Sequence, residues 1–211
     1  MRKSIAIPIV FVLMMWIINV IQFLLNIDFG SLGIQPRHID SLIGIITAPL
    51  IHGNWKHLIS NSLPLLILGS ILFVSYPKTA RKVWILIYML TGILVWLFAR
   101  GNSYHIGASG IIYGLASFLF FSGFFRMDIK AIAIASGVAI FYGGMVWGIL
   151  PLEKGVSWES HLLGGIVGLG LSFLFRNQYR DTLIVEDESV QEKQKNFDAF
   201  LEQRSERRVN E

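Results

Sequence analysis

Six predominantly apolar stretches recur along the 211-residue chain, at about 5–25, 58–76, 83–99, 107–125, 130–149 and 160–176, with short polar segments between them. Each approaches the roughly 20 helical residues that cross a hydrocarbon core about 30 Å thick. Apolar residues run through each stretch rather than alternating, which is not the strand pattern of a membrane β-barrel. Several runs are rich in glycine, as suits helices packed closely in lipid. The pattern predicts an all-α polytopic membrane protein, a six-transmembrane-helix bundle over 1–180, followed by a charged tail over 181–211. The first run follows Met1-Arg2-Lys3. It is longer than a signal-peptide core and lacks a small-residue cleavage site, so it reads as a retained span. The longest connection, 26–57, carries Gly30, Gly33, Pro36, Pro49, Asn54 and Trp55 among apolar residues and is too apolar for a hydrated linker. In the tail, Phe197, Phe200 and Leu201 have the spacing of a weak amphipathic helix, although a solvated tail is the simpler reading.

Composition agrees with a lipid solvent: 54% of residues are hydrophobic and 15% charged. The net charge of +4 does not point to nucleic acid, because the basic residues cluster between apolar runs instead of on one soluble face. Counted on alternate sides, Arg2, Lys3, Lys78, Arg81, Lys82, Arg126, Lys130, Arg176 and Arg180 face Arg37, Lys56, Arg100 and Lys154. The excess places both termini in the cytoplasm of a cell membrane and turns the segment ends near 57, 100–107 and 150–160 outward. Cysteine is absent, so disulfides and thiolate chemistry are excluded.

The interiors of the apolar runs hold no acidic or basic residue, and the candidates for chemistry lie at their outward ends. Gly107-Ala108-Ser109-Gly110 opens the fourth run, setting a hydroxyl at a helix N-terminus where free N–H groups would meet a developing oxyanion. Taken alone, this motif fits a serine N-cap with small-residue packing better than acyl transfer. His161 opens the sixth run, and at 100° per residue Gly164 and Gly168 fall at about 300° and 340° from it, on one face. That glycine seam would let the fourth and sixth helices approach until the imidazole meets the Ser109 hydroxyl. An imidazole takes a serine proton at neutral pH and returns it to a leaving amine. No carboxylate accompanies the pair, so the expected machine is a dyad, with Tyr113 about 40° around the helix from Ser109 holding the imidazole by ring contact. In the third constellation, His52 to Asn61, His57 and Asn61 share a helix face and His52 lies about 140° from His57. Two histidines five apart without acidic or thiolate partners do not match common zinc spacings, and neither metal nor cofactor is expected. His57 and Asn61 suit oxyanion donation or, more simply, capping and interfacial hydrogen bonds.

Together, HxxxxHxxxN before and into the second run, GxSG opening the fourth and HxxGxxxG opening the sixth resemble the rhomboid intramembrane proteases over about 52–168. The resemblance implies that Ser109 attacks a peptide carbonyl and that His161 acts as base and then acid with Tyr113 stacked on its ring. It further implies that His57, Asn61 and the Ser109 N–H stabilise the oxyanion, that His52 is structural or auxiliary, and that 26–57 forms a partly embedded loop. Gly107, Gly110, Gly164 and Gly168 would support this site, and His52, His57, Asn61, Ser109 and His161 would line a polar pocket. Implied partners are the lipid bilayer and single-span membrane proteins, cut in or beside their transmembrane segments where a helix unwinds; the oligomeric state stays open. Two family features are absent: a Trp-Arg pair in the first loop and a Glu after Asn61, where Leu-Ile-Leu-Gly-Ser stands at 66–70. Gly33-Ile-Gln-Pro36-Arg37 is the candidate substitute for loop anchoring. A catalytically inactive relative that binds membrane clients, or a small transporter using the same polar residues, are the rival functions.

Overall fold

The computed structural model describes residues 5–152, 155–178, 191–192 and 194–197. Seven α-helices occur among those within 5–178: α1 Ala6–Leu25, the one-turn α2 Gly44–Thr47, α3 Trp55–Ser75, α4 Ala80–Phe98, α5 Ser109–Arg126, α6 Ile129–Tyr142 and α7 Trp158–Leu174. No strand forms among the described residues beyond one isolated bridge between Ile34 and His105. Two units separate, Met1–Leu174 and Phe175–Glu211. In the second, the Gln178 amide donates to the Phe175 carbonyl at 3.3 Å, and 191–192 and 194–197 are helical. Phe200, Leu201 and most of the 181–211 tail lie outside the described residues.

Among the described residues, five segments are long and apolar enough to cross a membrane: α1, α3, α4, α5 and Ile129–Ile149, while α7 has 17 residues. Their outward faces carry bare apolar side chains, with Leu24 73% and Phe141 80% exposed. Such a surface is stable against lipid and would be costly in water. The fifth run is not one continuous α-helix as the sequence suggested. It stops at Tyr142 and continues as a 3₁₀ segment, Gly143–Ile149. Gly143, Gly144 and Gly148 weaken α-helix there by their backbone freedom, and the carbonyls of Met145 and Gly148 bond side chains of other helices instead.

Local signals set the ends of the other helices. Asn54 caps α3, its Oδ1 accepting the His57 amide at 2.8 Å. Asp128 caps α6 through the Ala131 amide at 2.8 Å. The interior of the bundle is built on α5, which packs against α3, α4, α6 and α7. Backbones touch along α5 and α7: a Cβ added at Gly164 would stand 2.1 Å from the Gly110 carbonyl oxygen, and one at Gly168 2.1 Å from that of Gly114. Ser117 Oγ donates to the Gly165 carbonyl at 2.7 Å in the same seam.

The segment after α1 folds back on the bundle in short turns. Arg37, with φ 64°, donates its amide to the Trp96 carbonyl at 2.9 Å and its guanidinium to the carbonyls of Ala99 at 2.8 Å and Leu97 at 3.2 Å. Trp96 Nε1 returns a bond to the His38 carbonyl at 2.9 Å. Arg37 thus satisfies the orphan carbonyls at the C-terminal end of α4, where a cation is also favoured by the helix dipole. The loop is anchored without a Trp-Arg pair.

Filling the seam should loosen the bundle: Gly168→Val is expected to cost about 2 kcal/mol in detergent thermal unfolding. Gly170→Val, which meets open space on the same helix, should stay within about 0.5 kcal/mol of the wild-type chain.

Candidate active site

Ser109 is the first residue of α5 and His161 lies in the first turn of α7, so the glycine seam fixes both at one end of the bundle. The Ser109 Oγ stands 2.8 Å from His161 Nε2. His161 Nδ1 lies 2.8 Å from the Gly148 carbonyl oxygen. A carbonyl can only accept, so Nδ1 carries the proton and Nε2 is left bare to accept from the Ser109 hydroxyl. The Tyr113 ring stacks on the imidazole, 4.2 Å between centroids and 7° from parallel, while its hydroxyl donates to the Met145 carbonyl at 2.7 Å. The 3₁₀ segment therefore supplies the two carbonyls that hold this ring pair. A Cβ at Gly148 would fall 2.0 Å from the Tyr113 oxygen, which keeps that position glycine.

Gly107 adopts φ +100°, and a Cβ there would sit 2.5 Å from His57 Cε1 and 3.4 Å from Asn61 Nδ2. Both polar side chains of α3 thus gather on the backbone two residues ahead of Ser109, where only glycine combines the left-handed conformation with the close approach. Asn61 Nδ2 is buried without a hydrogen-bond partner. The Ser109 amide belongs to the first turn of α5, whose N–H groups have no intrahelical acceptor. A cavity of about 920 Å³ opens over these groups, lined by His57, Asn61, Ser109, Tyr113 and His161 among others.

His52 departs from the expected lining. It is 1% exposed and stands behind His57, the two rings meeting edge to face at 4.8 Å. Its carbonyl accepts from Gln22 Nε2 of α1 at 3.2 Å. Burial, and then the neighbouring His57, push its pKa down to about 3. Just ahead of the sixth apolar run, the first turn of α7 includes Glu159. That carboxylate is buried and pairs through Oε1 with Arg100 Nε at 3.2 Å rather than with His161. The Gly148 carbonyl, which sequence reasoning missed, occupies the position beyond the imidazole; the clustered glycines of 143–148 were its only trace. Among the described residues, no three His, Cys, Asp or Glu side chains gather closely enough to hold a metal ion.

A rhomboid-domain family model matches residues 40–178. The chain belongs to the rhomboid family. An uncharacterized protein of Mycobacterium tuberculosis is 36% identical over 174 residues, covering 78% of this chain and 72% of the relative. An uncharacterized protein of Mycobacterium leprae is 33% identical over 185 residues, covering 82% and 71%. The chloroplastic rhomboid-like protein 11 of Arabidopsis thaliana is 28% identical over 149 residues, covering 61% and 51%. The matched span holds all three motifs and every side chain that surrounds the Ser109–His161 pair, so this rhomboid is an integral membrane protein whose polar cluster falls inside its family domain.

The buried neutral His52 gives stability a pH dependence. Its folded pKa lies below the unfolded value, so the contribution is complete above about pH 6.5 and is lost as pH falls toward about 3. Between about pH 7.5 and pH 5 the wild-type rhomboid should lose about 2 kcal/mol through this group, and unfolding measured across that range should be less steep in His52→Phe.

Proposed function

We propose that this rhomboid is an intramembrane serine endopeptidase working through a Ser109–His161 dyad. The observation that carries the reading is the 2.8 Å approach of the Ser109 hydroxyl to a His161 nitrogen left unprotonated by the Gly148 carbonyl. The Ser109 oxygen attacks the scissile carbonyl carbon as its proton passes to Nε2. The new imidazolium keeps its Nδ1–H bond to Gly148 and its stacking on Tyr113, so the ring stays aimed. The developing oxyanion receives hydrogen bonds from the Ser109 amide, from the unpartnered Asn61 Nδ2 and from His57, donors in place before charge appears. The tetrahedral intermediate collapses when Nε2–H protonates the leaving amine, which breaks the C–N bond and leaves an ester on Ser109. Water entering the cavity then loses its proton to Nε2 and attacks that ester; the C–Oγ bond breaks as Nε2–H returns the proton to Ser109 Oγ, and the new carboxyl terminus leaves.

Substrates on this reading are single-span membrane proteins that unwind beside the cavity, because a peptide bond in a regular helix is shielded and its carbonyl already bonded. On this reading the protein lies in the cell membrane with both termini cytoplasmic and the cavity toward the outside, an orientation supported by the excess of Lys and Arg on one side of the spans. The chemistry requires no cofactor.

Cleavage of a labelled single-span substrate in liposomes tests the proposal. Ser109→Ala and His161→Ala should each lower kcat by about 10⁴-fold or more, and Asn61→Ala by about 10²-fold. Activity surviving in Ser109→Ala would overturn the dyad. Failure of the wild-type chain to cut any of several substrates would favour a client-binding rhomboid instead.

A further inference from the structure

A second histidine beside the cavity repeats the hydrogen-bonding logic of His161. His105 lies in the loop from α4 to α5 and is 3% exposed. Its Nε2 is 3.1 Å from the Arg100 carbonyl oxygen and its Nδ1 is 2.5 Å from Ser157 Oγ. The carbonyl accepts, so Nε2 carries the proton and Nδ1 must accept from the Ser157 hydroxyl. Ser157 Oγ, its own proton committed, receives the Ser160 hydroxyl at 2.6 Å. The result is a directed chain from Ser160 through Ser157 and His105 to Arg100. Its ends matter: Ser160 adjoins His161, and the His161 amide reaches the Ser157 carbonyl at 3.4 Å. On the other side, His105 is pinned by two backbone bonds to Ile34, at 2.8 and 3.0 Å, and Gly107 by one to the Ala48 carbonyl at 2.8 Å, immediately ahead of Ser109. Arg100 closes the clasp through Glu159 at 3.2 Å and the Val156 carbonyl at 2.8 Å.

We infer that His105 is a positioning residue for the dyad, its neutral ring tying the strand of loop that delivers Ser109 to the turn that delivers His161. The inference rests on the dyad reading above. A protonated His105 only donates at Nδ1, so the Ser157 hydroxyl must turn away from the ring and the chain reverses its direction. A charge is also placed in the buried clasp, which strains it on the side of His161. Burial lowers the pKa of His105; the Arg100 carbonyl and the Glu159 carboxylate favour the imidazolium and the Arg100 charge opposes it. Among the described residues these are the charged groups that reach the ring. The clasp therefore holds at neutral pH and yields only in acid.

The test is the rate at which a fluorophosphonate probe labels the purified full-length chain, followed against pH. Wild-type labelling that is abolished in Ser109→Ala establishes the nucleophile first; absent or Ser109-independent labelling overturns the dyad reading and this inference with it. With that in place, His105→Ala and Ser157→Ala should each slow labelling at neutral pH by about tenfold or more, and the double variant should lose no more than either single one. His105→Asn, whose Oδ1 accepts from Ser157 and does not protonate, should restore most of the rate. It should also change the acid limb, from a dependence approaching about two protons in the wild-type chain to about one. Wild-type rates and an unaltered acid limb in the His105 variants, or additive losses in the double variant, would overturn the inference. If His105→Ala does not fold, the acid limbs of wild type and His105→Asn decide it alone.

Discussion

Contact between the backbones of α5 and α7 is the constraint on which the rest of the structure depends. Lipid supplies no hydrophobic drive between helices, so association comes from close packing, and small residues let two backbones meet. At Gly110 and Gly114 the carbonyl oxygens of α5 occupy the space where side chains of Gly164 and Gly168 would stand. Helices this close interlock, which restricts sliding and rotation and sets the spacing of residues at their ends. Ser109 and His161 sit at those ends. Packing between glycines in the membrane thus becomes a hydrogen-bond distance at its edge.

The remaining parts each remove one freedom from that pair. The 3₁₀ segment after α6 turns the Met145 and Gly148 carbonyls toward Tyr113 and His161, fixing a tautomer that a carboxylate fixes in Ser-His-Asp triads. A carbonyl bears no full charge, so it orients the ring without the cost of burying a second ion near lipid. Gly107, in its left-handed conformation, lets His57 and Asn61 close on the backbone ahead of Ser109. Arg37 and Trp96 lock the first loop to the end of α4, and the bridge between Ile34 and His105 carries that anchor onward toward α5. The first loop is therefore held in the absence of a Trp-Arg pair, because Arg37 satisfies the carbonyls at the end of α4.

Polar groups are concentrated where they can be paired. His52 and Glu159 are both buried, and each answers the cost differently: His52 by shedding its proton, Glu159 by binding Arg100. Neither lines the cavity as the Ser109–His161 pair does, which separates groups buried behind the site from groups open to it.

The sequence by itself determined the spans, their order and the end at which the chemistry-bearing residues gather. Lipid imposes an apolar run on every crossing, and glycines at helical spacing mark a packing seam, so both are written in residue type. Ser109, His161, His57, Asn61 and Tyr113 were legible for the same reason, since hydroxyl, imidazole and amide are side-chain properties. Only the tertiary structure decided what holds them. The Gly148 and Met145 carbonyls, the break in the fifth run, the place of His52 behind His57 and the chain from Ser160 to Arg100 left little or no mark in the sequence. Every residue carries a carbonyl, and nothing in its identity says which one will be left free of its helix and turned toward a ring far along the chain. That is settled by how the helices pack.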